Sequence, residues 1–88
     1  MTEKELISGT VVKHFKRELI EGEKGTRYCY EILGIGEHTE SGERLVIYRA
    51  LYGDCSIYAR PVEMFLSKTD KEKYPGIKQE YRFELLKE

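Results

Sequence analysis

The chain has 88 residues, 40% hydrophobic and 35% charged, with 15 Lys and Arg against 16 Asp and Glu for a net charge of -1. That size allows one domain spanning 1–88 with a single modest core, and the charge balance excludes a general electrostatic grip on nucleic acid or anionic lipid. A mean hydropathy of -0.58 and the lack of any long apolar run exclude a membrane-spanning helix.

The opening "MTEKELISG" is charged where a signal peptide is apolar, so a cytoplasmic location with no membrane partner is expected. In that reducing compartment Cys29 and Cys55 are expected as free thiols acting as half-buried small hydrophobes. Residues 1–8 read as a polar lead-in. "GTVVKHF" then predicts a short strand with Val12 and His14 on one face and Val11 and Phe15 on the other. "KRELIEGEKG" suits a short helical turn or a loop, since Gly22 and Gly25 break longer order. "TRYCYEILGIG" is rich in β-formers, and "HTESGE" after it is a turn with Ser41-Gly42 at its tip.

"RLVIYRALY", Gly53-Asp54 and "CSIYAR" read as a hairpin with a two-residue loop. Pro61 ends that strand, and "PVEMFL" begins a helical turn whose Met64 and Phe65 plug the fold. "SKTDKEKYPGIKQ" is a polar connector, and "EYRFELL" alternates as a last strand with Tyr81, Phe83 and Leu85 on one face. Five short strands with tight turns predict a mainly β fold: a strongly bent antiparallel sheet or a small SH3-like barrel with one or two short helical turns. An open α+β sheet with one covering helix is the alternative. No internal repeat or low-complexity segment interrupts the chain.

A two-residue Gly53-Asp54 loop dictates a register in which Tyr52 faces Cys55, Ala50 faces Ile57 and Tyr48 faces Ala59 on an apolar core face. The opposite face then pairs Leu51 with Ser56, Arg49 with Tyr58 and Ile47 with Arg60. Extending this through the Ser41-Gly42 turn puts Ile35 beside Tyr48, Leu33 beside Ala50, Gly34 opposite Arg49, Gly36 opposite Ile47 and His38 opposite Leu45. Arg49, Tyr58 and Arg60 are thus expected to share a polar face over a shallow space left by the glycines.

"HFK" at 14–16, "YEILGIGEHTE" at 30–40, "LVIYRALYG" at 45–53, "RPVEMF" at 60–65 and "RF" at 82–83 resemble, in this order, the pattern of the bacterial DUF1653 family, small proteins of uncharacterised function. The resemblance covers about 9–83 and implies no reaction. Carried over residue by residue, it matches His14, Phe15, Lys16, His38, Thr39, Glu40, Tyr48, Leu51, Tyr52, Gly53, Arg60, Pro61, Met64, Phe65, Arg82 and Phe83. The chain departs from the family pattern at Val12, near which a tyrosine is usual, and at Tyr58, where tryptophan is usual. Its "RELIEGEKG" loop is also longer.

Arginine presents a planar fork of donors to carboxylate or phosphate, and a neighbouring ring stacks on a base or a guanidinium. Arg49, Tyr58 and Arg60, with His14 and His38, are therefore the candidate ligand-binding residues. They suit a nucleotide-like anion, single-stranded nucleic acid or an acidic protein segment. The bland alternative has the arginines pairing with glutamates and laying their stems over Ile47 and Leu51. His38 is read first as a brace of its own turn and second as an acid/base.

Zinc sites need short ligand pairs that His14, Cys29, His38 and Cys55 lack, so no metal or other cofactor is expected. Cys55, on the core face in this register, is read as inert. "GIG" is too short for a phosphate fingerprint. The functional expectation is a non-enzymatic binding or adaptor module. The alternatives are a small enzyme using His38 as acid/base and Arg60 as anion clamp, and a self-assembling structural module pairing through an edge strand.

Overall fold

The computed structural model describes residues 1–86. All five expected strands are present: β1 (Val11–His14), β2 (Cys29–Glu37), β3 (Arg44–Ala50), β4 (Ile57–Pro61) and β5 (Phe83–Leu85). Among the described residues helix is limited to 3₁₀ turns at Glu3–Glu5 and Phe15–Leu19 and the single turn α1 (Val62–Phe65). Pro61, which lacks a ladder donor, stands at the end of β4 and caps α1, so one residue both stops the strand and starts the turn.

The strands form one antiparallel sheet in the order β4-β3-β2-β1-β5. The fold is mainly β, as expected, but the sheet is not closed into a barrel and nothing in its pairing supports strong bending. β4 and β5 are its two edges. Closure would need β5 to continue from β1 across to β4, and β5 is only three residues long. The space beside it is filled instead by α1 and the 66–82 segment, which folds on itself through the Lys68–Tyr81 bridge and the Thr69 N–H to Glu80 carbonyl bond.

One face of the sheet carries Val12, Tyr30, Ile32, Val46, Tyr48, Ala50 and Phe83, closed over by Leu6, Val62 and Phe65. Phe65 and Phe83 lie parallel with centroids 4.1 Å apart at 4°. Rings of this size bury large apolar areas and dominate the packing energy of a small domain. Phe65 is the expected plug, but its neighbour Met64 projects outward, 49% exposed.

The expected register of the β3–β4 hairpin is off by one residue. Tyr58 opposes Tyr48, Arg60 opposes Val46, and Ile57 opposes Arg49. The two-residue loop fails because Leu51 does not pair with β4: its N–H donates to the Cys29 carbonyl, and its own carbonyl accepts from Thr26 Oγ1 at 2.5 Å. The hairpin closes further out, where the Ala50 N–H donates to the Ser56 carbonyl at 2.9 Å. Asp54 Oδ1 accepts from both the N–H and the hydroxyl of Ser56, and Gly53 and Cys55 take left-handed φ values of 61° and 56°.

A one-residue slip exchanges the faces of a strand. Ile57 is 61% exposed, Ala59 and Cys55 are also exposed, and Tyr58 and Arg60 turn to the side of Tyr48. The expected core positions Cys55, Ile57 and Ala59 are therefore surface, while Cys29 is the buried thiol and both cysteines are free.

The β2–β3 alignment also differs. Glu31, not Gly34, opposes Arg49, and Ile32, not Ile35, opposes Tyr48. A bulge between Ile32 and Gly34 then shifts the register so that Ile35 opposes Val46 and Gly36 opposes Leu45. The extra residue lets Ile32 and Ile35, three positions apart, both serve the core. No helix among the described residues is long and apolar enough to cross a membrane.

Candidate functional site

The face of the sheet that carries the core opens beside β1, β3 and β4 into a cleft of about 270 Å³. It is lined by His14, Lys16, Tyr28, Tyr30, Tyr48, Tyr58, Arg60 and Phe83. The register explains the gathering: His14 opposes Phe83, and Tyr48 opposes Tyr58. Tyr30 meets Tyr48 and Phe83 edge-on at 5.4 and 5.7 Å, so all five strands contribute rings to the lining.

His14 ends β1 and is 8% exposed. Its Nδ1 accepts the Lys16 N–H at 3.1 Å, capping the 3₁₀ turn that follows. An acceptor Nδ1 puts the proton of the neutral ring on Nε2, leaving that nitrogen a donor. Burial, followed by the charges of Arg82, Lys16 and Arg60, lowers the His14 pKa from 6.5 to about 4. The ring is neutral at pH 7 and sits in a field of three cations.

Those cations have no carboxylate within salt-bridge distance among the described residues; the ion pairs are Arg44–Glu3, Arg49–Glu31 and Lys68–Glu80. Arg60 Nε donates to the Tyr48 hydroxyl at 3.2 Å, and its guanidinium carbon lies 5.9 Å from the Phe83 centroid. Arg82 Nε donates to Ser67 Oγ at 3.2 Å. The stem of Arg60 is thus oriented while its terminal nitrogens are left for a further partner, the geometry that carboxylates and phosphates accept from arginine.

Tyr28 holds a φ of 60°, which costs a non-glycine residue of order 1–2 kcal/mol. The surroundings enforce it: the Tyr28 carbonyl accepts from the His14 N–H, the Arg27 N–H donates to the Lys24 carbonyl, and the Cys29 N–H donates to the Thr26 carbonyl. The result sets the Tyr28 ring against Tyr52 at 5.4 Å and within 6.2 Å of His14. Behind it, the hydroxyls of Tyr30 and Tyr52 share a 2.7 Å hydrogen bond, and burial, then that bond, raises the Tyr30 pKa above its ordinary value.

Of the five sequence-derived site residues, the structure brings together His14, Tyr58 and Arg60 and separates the other two. Arg49 projects from the opposite face of the sheet and is paired with Glu31 at 2.6 Å. The exposed His38 lies in the β2–β3 turn, where its Nδ1 accepts from the N–H groups of Glu40 and Ser41 at 3.1 and 3.3 Å. The glycines expected beside the arginines do not adjoin Arg49 either, since Gly34 opposes Ile47, Gly36 opposes Leu45 and Glu31 takes the place opposite Arg49.

Sequence reasoning missed Lys16, Tyr28, Tyr30, Tyr48, Phe83 and Arg82 as site residues. A signal was present for five of them, because Lys16, Tyr30, Tyr48, Arg82 and Phe83 lie in the separated motifs that carry the family resemblance. Tyr28 gives none, because a left-handed tyrosine has no sequence signature.

A family model described as a protein of unknown function, DUF1653, matches residues 10–85. Comparison with curated proteins and with solved structures found no match.

Proposed function

The chain belongs to the DUF1653 family, whose description names no activity, and from that premise we propose that it is a non-enzymatic binding module whose cleft takes a planar anionic ligand of the nucleotide kind. The observation that carries this reading is the gathering of Lys16, Arg60 and His14 with the rings of Tyr28, Tyr30, Tyr48, Tyr58 and Phe83 around one cleft, with the charge of Arg82 acting on His14 from nearby. Here the phosphate of a nucleotide meets the Arg60 fork, Lys16 and the His14 Nε2–H, while the base lies against the exposed ring of Tyr58 or the wall of Tyr28.

The module reading rather than the enzyme reading rests on the state of the two histidines. His14 is held neutral by its surroundings, and His38 has its Nδ1 engaged in its own turn, outside the cleft that contains Arg60. Among the described residues, the hydrogen-bond partners of both rings are backbone N–H groups. Near-neutral net charge fits selective, moderate affinity rather than tight unspecific adsorption.

The test is an NMR titration of the ¹⁵N-labelled chain with uridine and adenosine monophosphates. Shifts confined to the amides around His14, Lys16, Tyr28, Tyr58 and Arg60 are expected. Arg60→Ala should weaken binding about tenfold or more, the usual cost of losing a hydrogen bond between charged groups. Arg49→Ala, on the other face, should leave it unchanged. Absence of shifts with either nucleotide, or equal losses from both variants, sinks the proposal.

A further inference from the structure

The cleft does not end at Lys16 and Tyr28. On their other side lies a second depression of about 440 Å³, lined by Lys16, Leu19, Ile20, Glu21, Arg27 and Tyr28. Lys16 and Tyr28 are common to both linings, so the two hollows adjoin at these two residues. The partition is braced from beneath. Arg17 Nη1 donates to the Arg27 carbonyl at 2.8 Å, tying the 3₁₀ turn to the turn that sets Tyr28 in its left-handed conformation.

The two halves differ in chemistry. The first is ringed with aromatics and carries Arg60 and His14; the lining of the second has no ring besides Tyr28 and combines the apolar Leu19 and Ile20, with Leu19 58% exposed, with Arg27 and Glu21. A planar cation beside aliphatic carbon suits a second base, which guanidinium planes stack upon. Lys16 at the divide is where the anion joining the two units would sit.

We propose, building on the nucleotide reading of the first cleft, that the whole groove holds a short single-stranded oligonucleotide of about two nucleotides, its linking phosphate at Lys16 and its bases on either side of Tyr28. An acidic peptide is the less suitable occupant. Its carboxylates would meet Glu21, which lines the second hollow, and would leave the faces of Tyr28 and Tyr58 unused. An oligonucleotide needs only one phosphate at the divide and lays a base, not a charge, beyond it.

The decisive measurement compares uridine monophosphate, the dinucleotide UpU and a hexa-glutamate peptide on the intact chain, by amide shifts and by calorimetry. We expect UpU to bind at least fivefold more tightly than the mononucleotide and to shift the amides of Leu19, Ile20 and Arg27 as well. Arg27→Ala, an exposed side chain outside the first cleft, should abolish that gain and leave mononucleotide affinity unchanged. Equal affinities for UpU and the mononucleotide, with Leu19, Ile20 and Arg27 unmoved, overturn the extended groove and leave the nucleotide site standing. Peptide shifts across both hollows without any from UpU overturn it in favour of a protein partner. Silence from the mononucleotide and UpU together removes both proposals.

Discussion

His14 carries opposing consequences for the fold and for the ligand. With its pKa held at about 4 rather than 6.5, the folded chain leaves the ring neutral at pH values where the unfolded chain has already bound a proton. Between those pH values the unfolded state binds more protons, so stability rises with pH and is lost as pH falls from 6.5 towards 4, by about 2–3 kcal/mol from this one group. His14→Asn keeps an acceptor for the Lys16 N–H, and its urea midpoint should therefore fall less steeply over that interval than that of the unchanged chain. Anion binding works the other way. A phosphate beside Nε2 favours the imidazolium, so the imidazole titration followed by NMR should move upward when ligand is bound. Tyr28 offers a second test at this scale. Asparagine tolerates its left-handed backbone, so Tyr28→Asn should change stability by no more than about 1 kcal/mol, the strain relieved offsetting the lost ring contacts, while ligand affinity falls several-fold. A ring present only for packing would show the reverse pattern, with affinity kept.

At the scale of elements, the site depends on how the connections are tied. Glu18, in the 3₁₀ turn after β1, accepts the N–H groups of Lys78 and Gln79 at 2.8 and 2.7 Å, joining that turn to the segment leading into β5. Slight burial acts to raise the Glu18 pKa, but those two hydrogen bonds and the charges of Lys71 and Lys13 outweigh it and hold it below the ordinary carboxylate value. The Gln79 side chain adds bonds to the Lys13 and Tyr81 carbonyls, and Lys71 Nζ donates to the carbonyls of Ile77 and Gln79. Glu18→Ala removes two charge-assisted bonds and should lower the thermal midpoint by an amount corresponding to about 1–2 kcal/mol. The amides of 78 and 79 should then exchange faster with solvent than those of β3. Unchanged exchange at those two amides would show that the clasp contributes nothing. The β3–β4 loop shows why connections are hard to read. Gly53-Asp54 has the composition of a two-residue turn, yet Asp54 spends its carboxylate on Ser56 and Leu51 is drawn to β2. Both interactions involve residues outside the dipeptide, and they move the register by one.

For the whole molecule, stability concentrates in the stack of Phe65 on Phe83 beneath Tyr48 and Tyr30. A domain of this size has little stability to lose. Phe65→Ala, at a position with no exposure, should cost about 3–5 kcal/mol and leave much of the chain unfolded at 37 °C, as circular dichroism would show. A loss below about 1 kcal/mol would mean that the core does not close through α1. Phe83, Tyr48 and Tyr30 also form the cleft wall, so the floor of the site and the centre of the core are continuous. That continuity gives the ligand a rigid surface with few rotamers to order on binding.

The sequence alone determined the number of strands and their places along the chain, the one-turn helix after Pro61 and the faces of β1, because strand propensity, proline and turn residues act over a few neighbouring positions. It also singled out His14, Tyr58 and Arg60. Only the tertiary structure decided that these three meet Lys16, Tyr28 and Phe83 in a cleft while Arg49 and His38 do not, and that the sheet stays open. Those outcomes hang on register. One bulge after Ile32 and one hydrogen bond from the Leu51 N–H to the Cys29 carbonyl reverse which side of a strand a residue faces, and both are set by strands that are neighbours in space rather than in the chain.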